Sequence, residues 1–169
     1  MPSPILLIIE ALVLITILWC LNTLFMGKGA EYFPTTPRKL RKMFEFANIT
    51  NNDMVYDLGS GFGSLTIKAS KIAKKAVGIE YDYIRYTISK LRETDKAKFI
   101  RGDLFEQDIS DADVVFLYLR QRTNQKLKSK LSKLKKGTKI ISNTWTFEDW
   151  KPIKQDKKLK VYMYIIGES

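Results

Sequence analysis

A chain of 169 residues with 45% apolar and 28% charged side chains can bury one real core and is not disordered. It has no histidine, which excludes Ser-His-Asp triads, histidine acid–base chemistry and histidine metal sites; its single cysteine, Cys20, excludes an intrachain disulfide framework or zinc knuckle. All 29 Lys and Arg and all but one of the 18 Asp and Glu lie beyond Gly27, so that part carries +12 and favours an acidic partner: anionic lipid, nucleic acid or an acidic protein. Carboxylates, hydroxyls, lysines and tyrosines remain for chemistry, and anything harder must come from a cofactor.

Ile5 to Met26 is a run of 22 residues with one charge, Glu10. It is long enough to cross a hydrocarbon core of about 30 Å. A cleaved signal peptide fits poorly, because no basic segment precedes the run and no small-residue cleavage site follows. A buried core helix is the other rival. Basic residues crowd the C-terminal flank (Lys28, Arg38, Lys39, Arg41, Lys42), which orients the N-terminus outward and the rest toward the cytoplasm. The expected organisation is an anchor at 1–27 and a domain at 28–169, placed at the cell membrane as a single-pass protein.

Thr36 reads as a helix cap with Pro37 at the first helical position, and Arg38–Asn48 puts Leu40, Met43, Phe44 and Ala47 on one face. Asp53–Asp57 is a short strand leading into a glycine loop at 58–63. A helix over Ser64–Ala73 follows, then a strand at Lys75–Glu80 and a helix at Asp82–Glu93. Further strands are expected at Ala97–Arg101 and Ala112–Leu119. Arg120–Leu134 is a lysine-rich helix, Thr138–Asn143 a fifth strand, and Lys158–Gly167 a late strand with an antiparallel placement open. The seven lysines from Lys126 to Lys139 alternate with Leu127, Leu131 and Leu134, as a solvated face over a core stripe or as a docking surface. Alternating strand and helix at these lengths predicts an α/β fold, a Rossmann-like doubly wound and mostly parallel sheet. Ligands in such sheets bind beyond the carboxyl ends of the strands.

Asp57-Leu58-Gly59-Ser60-Gly61-Phe62-Gly63 lies directly after the first strand. It departs from G-x-G-x-x-G, since residue 64 is Ser64, and no triphosphate loop motif occurs. Its companions strengthen it. Glu80, with Tyr81 beside it, ends the second strand and can accept both hydroxyls of a ribose. Asp103 follows the third strand and can accept from an adenine amino group, with Leu104 or Phe105 against the ring.

With these residues in place the sequence resembles the class I S-adenosylmethionine-dependent methyltransferases. It is most similar to the small archaeal protein-lysine methyltransferases and the mitochondrial ATP synthase c-subunit lysine methyltransferases. The carrying segments, within about residues 31–168, are Tyr32-Phe33-Pro34-Thr35-Thr36-Pro37, Val55 to Gly61, Gly78-Ile79-Glu80, Gly102 to Phe105, Val114 to Leu119 and Val161 to Glu168. The resemblance implies S-adenosyl-L-methionine as cofactor. It places Pro34 and Thr35 in a loop over that cofactor, Gly59, Ser60, Gly61 and Gly63 beneath it, and Asp57 on its methionine amino group, directly or through water. Phe62 stands where the family usually has an acidic residue, and Ser142-Asn143-Thr144-Trp145 lacks a histidine associated with that strand end.

Methyltransferases acting on planar amides or base amines usually carry Asn- or Asp-Pro-Pro-aromatic after the fourth strand. Phe116-Leu117-Tyr118-Leu119 stands here instead, which argues against nucleic acid as the substrate. Tyr118 is the catalytic candidate: it either lines a lysine channel, where an aromatic face suits a cation, or packs on the sheet. The expected reaction is methylation of protein lysines, with a membrane protein as one partner. Methylation of a lipid or small molecule, and a non-enzymatic binding module, are the alternatives.

Overall fold

The computed structural model describes residues 3–25 and 35–168. Tyr32, Phe33 and Pro34, expected over the cofactor, lie outside the described residues. The chain divides into two compact units, Met1–Ala30 and Glu31–Ser169.

In the first unit, α1 (Pro4–Phe25) is 22 residues long and apolar on all sides. At 1.5 Å per residue it spans about 33 Å. The hydroxyl of Thr16 donates to the Leu12 carbonyl at 2.7 Å, so this polar group is satisfied within the helix. The apolar side chains between Pro4 and Leu21 are exposed rather than packed in a core.

The second unit opens with α2 (Pro37–Ala47). Thr36 caps it, its hydroxyl accepting from the Lys39 N–H, and Asn48 closes it in the left-handed region at φ 42°. Then follow β1 (Met54–Leu58), α3 (Ser64–Ser70), β2 (Lys75–Glu80), α4 (Tyr83–Lys90), β3 (Ala97–Arg101), β4 (Val114–Leu117), α5 (Gln121–Leu131), β5 (Lys139–Asn143), β6 (Lys154–Asp156) and β7 (Val161–Ile165). They form one sheet in the order β3-β2-β1-β4-β5-β7-β6. β1 to β5 are parallel, while β7 runs against both β5 and β6. β7 is therefore the reversed strand, and the expected doubly wound, mostly parallel architecture holds.

Burial explains which strands are central. All four residues of β4 are buried, as are four of five in β1. Strands covered on both faces read as continuous apolar runs, as VVFL does. On one face, α2 sets Met43 and Ala47 into a core with Val55, Phe116, Ile141 and Met163, and Phe44 stacks on Phe116 at 5.5 Å. The sequence gives no sign of β6. It is three polar residues, KQD, at the sheet edge, held by pairing with β7 and not by burial.

The chain winds one way through β1, β2 and β3 and the other way through β4 and β5. The switch point therefore lies between β1 and β4, where ligands of such sheets bind.

Candidate active site

The glycine loop leaves β1 at that switch point. The N–H groups of Gly59 and Ser60 both donate to the Ile79 carbonyl, at 2.9 and 3.0 Å, which folds the loop across the end of β2. Gly59, Gly61 and Gly63 all have positive φ, a region that side chains disfavour. At Gly63 there is also no room: a Cβ would lie 2.4 Å from the ring of Phe99. Arg92 pins the loop from outside by donating to the Phe62 carbonyl at 2.6 Å.

Glu80 is buried at the end of β2. One carboxylate oxygen accepts from the Gly61 N–H at 2.8 Å and the other from the Asp82 N–H at 2.9 Å. Both contacts fix the carboxylate's plane. A carboxylate offers about four lone-pair sites, so each oxygen can still accept a ribose hydroxyl. Tyr81 follows, half-buried.

Asp57 lies inside β1, one residue before its end, and is 6% exposed. Its carboxylate accepts from the Thr66 hydroxyl at 2.9 Å. Burial pushes its pKa up to about 7, and the negative charge of Glu80 adds to this against the Thr66 bond. Among the described residues no cation pairs with this acid, and a ligand ammonium would supply one.

Asp103 opens the loop after β3 and turns it by accepting from the Phe105 N–H at 2.9 Å. Leu104 is half-buried beside it. The loop is held by a residue that the sequence left among solvated lysines. Lys130 of α5 donates to the carbonyls of Leu104 at 2.7 Å, Phe105 at 3.1 Å and Gln107. Two neighbours are also engaged: Lys128 pairs with Asp149 and Lys135 with Asp113. The lysine-rich face thus clamps two connections, β3–β4 and β5–β6, while Lys126, Lys133 and Lys136 stay exposed over the buried Leu127–Leu131–Leu134 stripe, as the amphipathic reading expects.

A second cluster forms where β4 and β5 end. Leu119 abuts the glycine loop closely enough that a Cβ on Gly59 would sit 2.8 Å from it. Tyr118, its neighbour, is half-buried, and the ammonium of Lys39 stands 5.9 Å from its ring centroid. That ammonium donates to Asn143 Oδ1 and Thr144 Oγ1, both at 3.0 Å. Asn143 is fully buried and reaches Thr35 Oγ1 at 3.5 Å, which ties the described end of the Pro-Thr loop to β5. Thr144 has φ 74°, a genuine outlier for a β-branched residue, held by its N–H on the Lys160 carbonyl at 2.7 Å. Strain of this kind collects at functional sites. The sequence pattern pointed to Tyr118 but not to Asn143, Thr144 or Lys39, because their meeting depends on β5 lying next to β4.

This geometry agrees with what the chain is similar to. A family profile described as the ANTKMT methyltransferase domain matches residues 57–154. A protein-lysine N-methyltransferase of Saccharolobus islandicus (strain REY15A) is 40% identical over 151 residues, which cover 81% of this chain and 94% of that protein. The chain belongs to the ANTKMT methyltransferase family. It is an S-adenosylmethionine-dependent methyltransferase, in line with the expected fold, cofactor and family. A crystal structure of an RNA methyltransferase from Salinibacter ruber in complex with S-adenosyl-L-homocysteine superposes with a TM-score of 0.76 at 36% identity, covering 81% of this chain and 95% of that one. An rRNA adenine N-6-methyltransferase of Escherichia coli is 31% identical over 86 residues, covering 48% of this chain and 35% of that protein.

The residues present fit this cofactor. Ser60 Oγ, in the glycine loop, is buried without a hydrogen-bond partner. Glu80 is oriented for a diol, and buried Asp57 faces no cation among the described residues. A cationic, polar ligand satisfies all three.

Proposed function

We propose that this methyltransferase transfers methyl groups to lysine side chains of proteins, from a membrane-anchored position on the cytoplasmic side. The observation that carries the lysine reading is the cluster at the ends of β4 and β5. There an alkylammonium lies over the face of Tyr118 with two side-chain oxygens on its hydrogens. Such a place suits a lysine amine. The 40% identity to a protein-lysine methyltransferase supports the same acceptor.

In this reading Glu80 holds the ribose, Asp103 and Leu104 the adenine, and Asp57 the amino group. Gly59, Ser60, Gly61 and Gly63 let the backbone approach, Tyr81 flanks the ribose side, and Thr35 belongs to the loop expected over the cofactor. The cofactor supplies an activated methyl on a positive sulfur. The chain's task is to bring a neutral amine in line with it, so positioning supplies most of the acceleration. Free lysine has a pKa of about 10.4, and a half-buried, cation-lined site lowers it toward the reactive neutral form. Tyr118 lines the path of the amine.

The anchor reading rests on α1, whose length and apolar surface suit a bilayer. All basic residues on its C-terminal side orient the domain inward. An anionic leaflet attracts such a surface by about 1 kcal/mol per nearby Lys or Arg. The acceptor is then a lysine of a membrane protein near the cytoplasmic surface.

The test is to incubate native membranes and total RNA with the detergent-solubilised full chain and methyl-labelled cofactor. Label in lysines of membrane proteins is the expected result. Label confined to RNA adenine or to extracted lipid refutes the lysine reading. Protease added to intact cells should spare the domain, and its digestion there refutes the topology.

A further inference from the structure

We propose that Asn143 and Thr144 are the acceptor-amine subsite, and that the chain's own Lys39 fills it and is methylated in cis. The inference deepens the lysine reading above and rests on it.

Lys39 belongs to the first turn of α2, which immediately follows Thr35 and Thr36. Its amine is partly buried between α2 and the ends of β4 and β5. Asn143 Oδ1 and Thr144 Oγ1 lie at 3.0 Å each, and the Tyr118 ring centroid at 5.9 Å. Burial lowers its pKa first, and the nearby charge of Lys160 lowers it further. The two oxygens take two of its hydrogens, and loss of the third proton, which the lowered pKa eases, leaves a lone pair free for a methyl group.

The receptor side is built for this. Asn143 is fully buried, and the same Oδ1 also accepts from the Thr144 hydroxyl at 2.9 Å, which fixes both oxygens. Thr144 adopts a strained left-handed conformation. Strain of this kind persists only where the surroundings impose it. A surface lysine making a casual contact would need none of this. The cluster also lies on the sheet edge that bears the glycine loop, against which Leu119 is packed.

In the reaction the unprotonated Lys39 nitrogen forms the N–C bond as the S–C bond breaks. The electron pair of that bond goes to sulfur, leaving neutral S-adenosylhomocysteine, and the new ammonium gives a proton to water. An internal amine of this kind has an effective concentration of order mM. It therefore competes with an external lysine peptide supplied at roughly a tenth of that level.

Two measurements decide. The detergent-solubilised full chain is incubated with S-adenosylmethionine over a range of protein concentrations, and its peptides are mapped by mass spectrometry. The expected product is methyl-Lys39, formed at a rate independent of protein concentration and absent in Lys39→Met. In that variant, transfer to a lysine peptide should rise by up to about tenfold. The second measurement needs no cofactor. The Thr144 methyl resonance is followed during titration with n-butylammonium, a mimic of the lysine side chain. It should shift in Lys39→Met, where the subsite is vacated, and stay fixed in the parent chain. Methylation of external lysines with Lys39 unmodified overturns the proposal and leaves the lysine function standing. A rate that grows with protein concentration overturns the cis claim. An unresponsive Thr144 signal in Lys39→Met overturns the subsite. Cofactor binding with no lysine methylated anywhere overturns this inference and the proposed function together.

Discussion

Replacing Asp57 by Asn separates the stability of the site from its use. The carboxyl is buried, and its pKa is pushed up from 3.8 to about 7, by burial first. The folded chain therefore holds a proton that the unfolded chain releases between these two values. Stability falls as pH rises through that window, and the loss is complete above about pH 7. At 1.36 kcal/mol per pH unit the loss is at most about 4 kcal/mol. Asn keeps the shape and can still accept from the Thr66 hydroxyl, but it has no charge to bury. The variant should thus melt up to about 10 °C higher than the parent at pH 8, without cofactor, and no higher at pH 4. Cofactor binding should behave in the opposite way. An ammonium beside Asp57 favours its charged form, so parental affinity should fall about tenfold for each pH unit below 7. The Asn variant should bind weakly and without that slope. Differential scanning fluorimetry and calorimetry in detergent, at pH 4, 6 and 8, read both effects. Equal melting at pH 8 together with a parental pH slope in the variant would refute the reasoning.

Glu80→Ala should weaken cofactor binding at least tenfold in calorimetry, because charge-assisted hydrogen bonds of roughly 1.5–3 kcal/mol are lost; it should also free the Gly61 and Asp82 N–H groups. Unchanged affinity with the fold intact counts against the ribose assignment. Gly63→Ala meets both a φ of 78° and a ring atom at 2.4 Å, so a loss of at least about 1–3 kcal/mol is expected in urea unfolding; a neutral result shows that the loop can rearrange. Lys130→Met removes the donor to three carbonyls of the loop after β3. Cofactor affinity should drop several-fold, with hydrogen exchange rising at residues 104–107. Faster exchange there without an affinity change places the loop outside the cofactor site.

Much of this protein was legible in one dimension. Apolar runs and their spacing set β2 at Lys75–Glu80 and β3 at Ala97–Arg101 with the bounds observed. Thr36 and Pro37 announced α2 through local capping chemistry. The glycine loop and the acids Asp57, Glu80 and Asp103 stood out as candidates because parallel strands bring their carboxyl ends to one edge, so residues distant in sequence gather there by rule. Three things needed the tertiary structure. β6 has no apolar face to betray it, since its pairing with β7 is made by backbone alone. The Lys130 clamp links residues 23 to 26 positions apart, and a lysine anchored on carbonyls has the same letter as a solvated one. The amine subsite joins Lys39 to Asn143 and Thr144 across more than a hundred residues. Its signal, a threonine in the left-handed region, is a backbone angle, and no side-chain pattern encodes it.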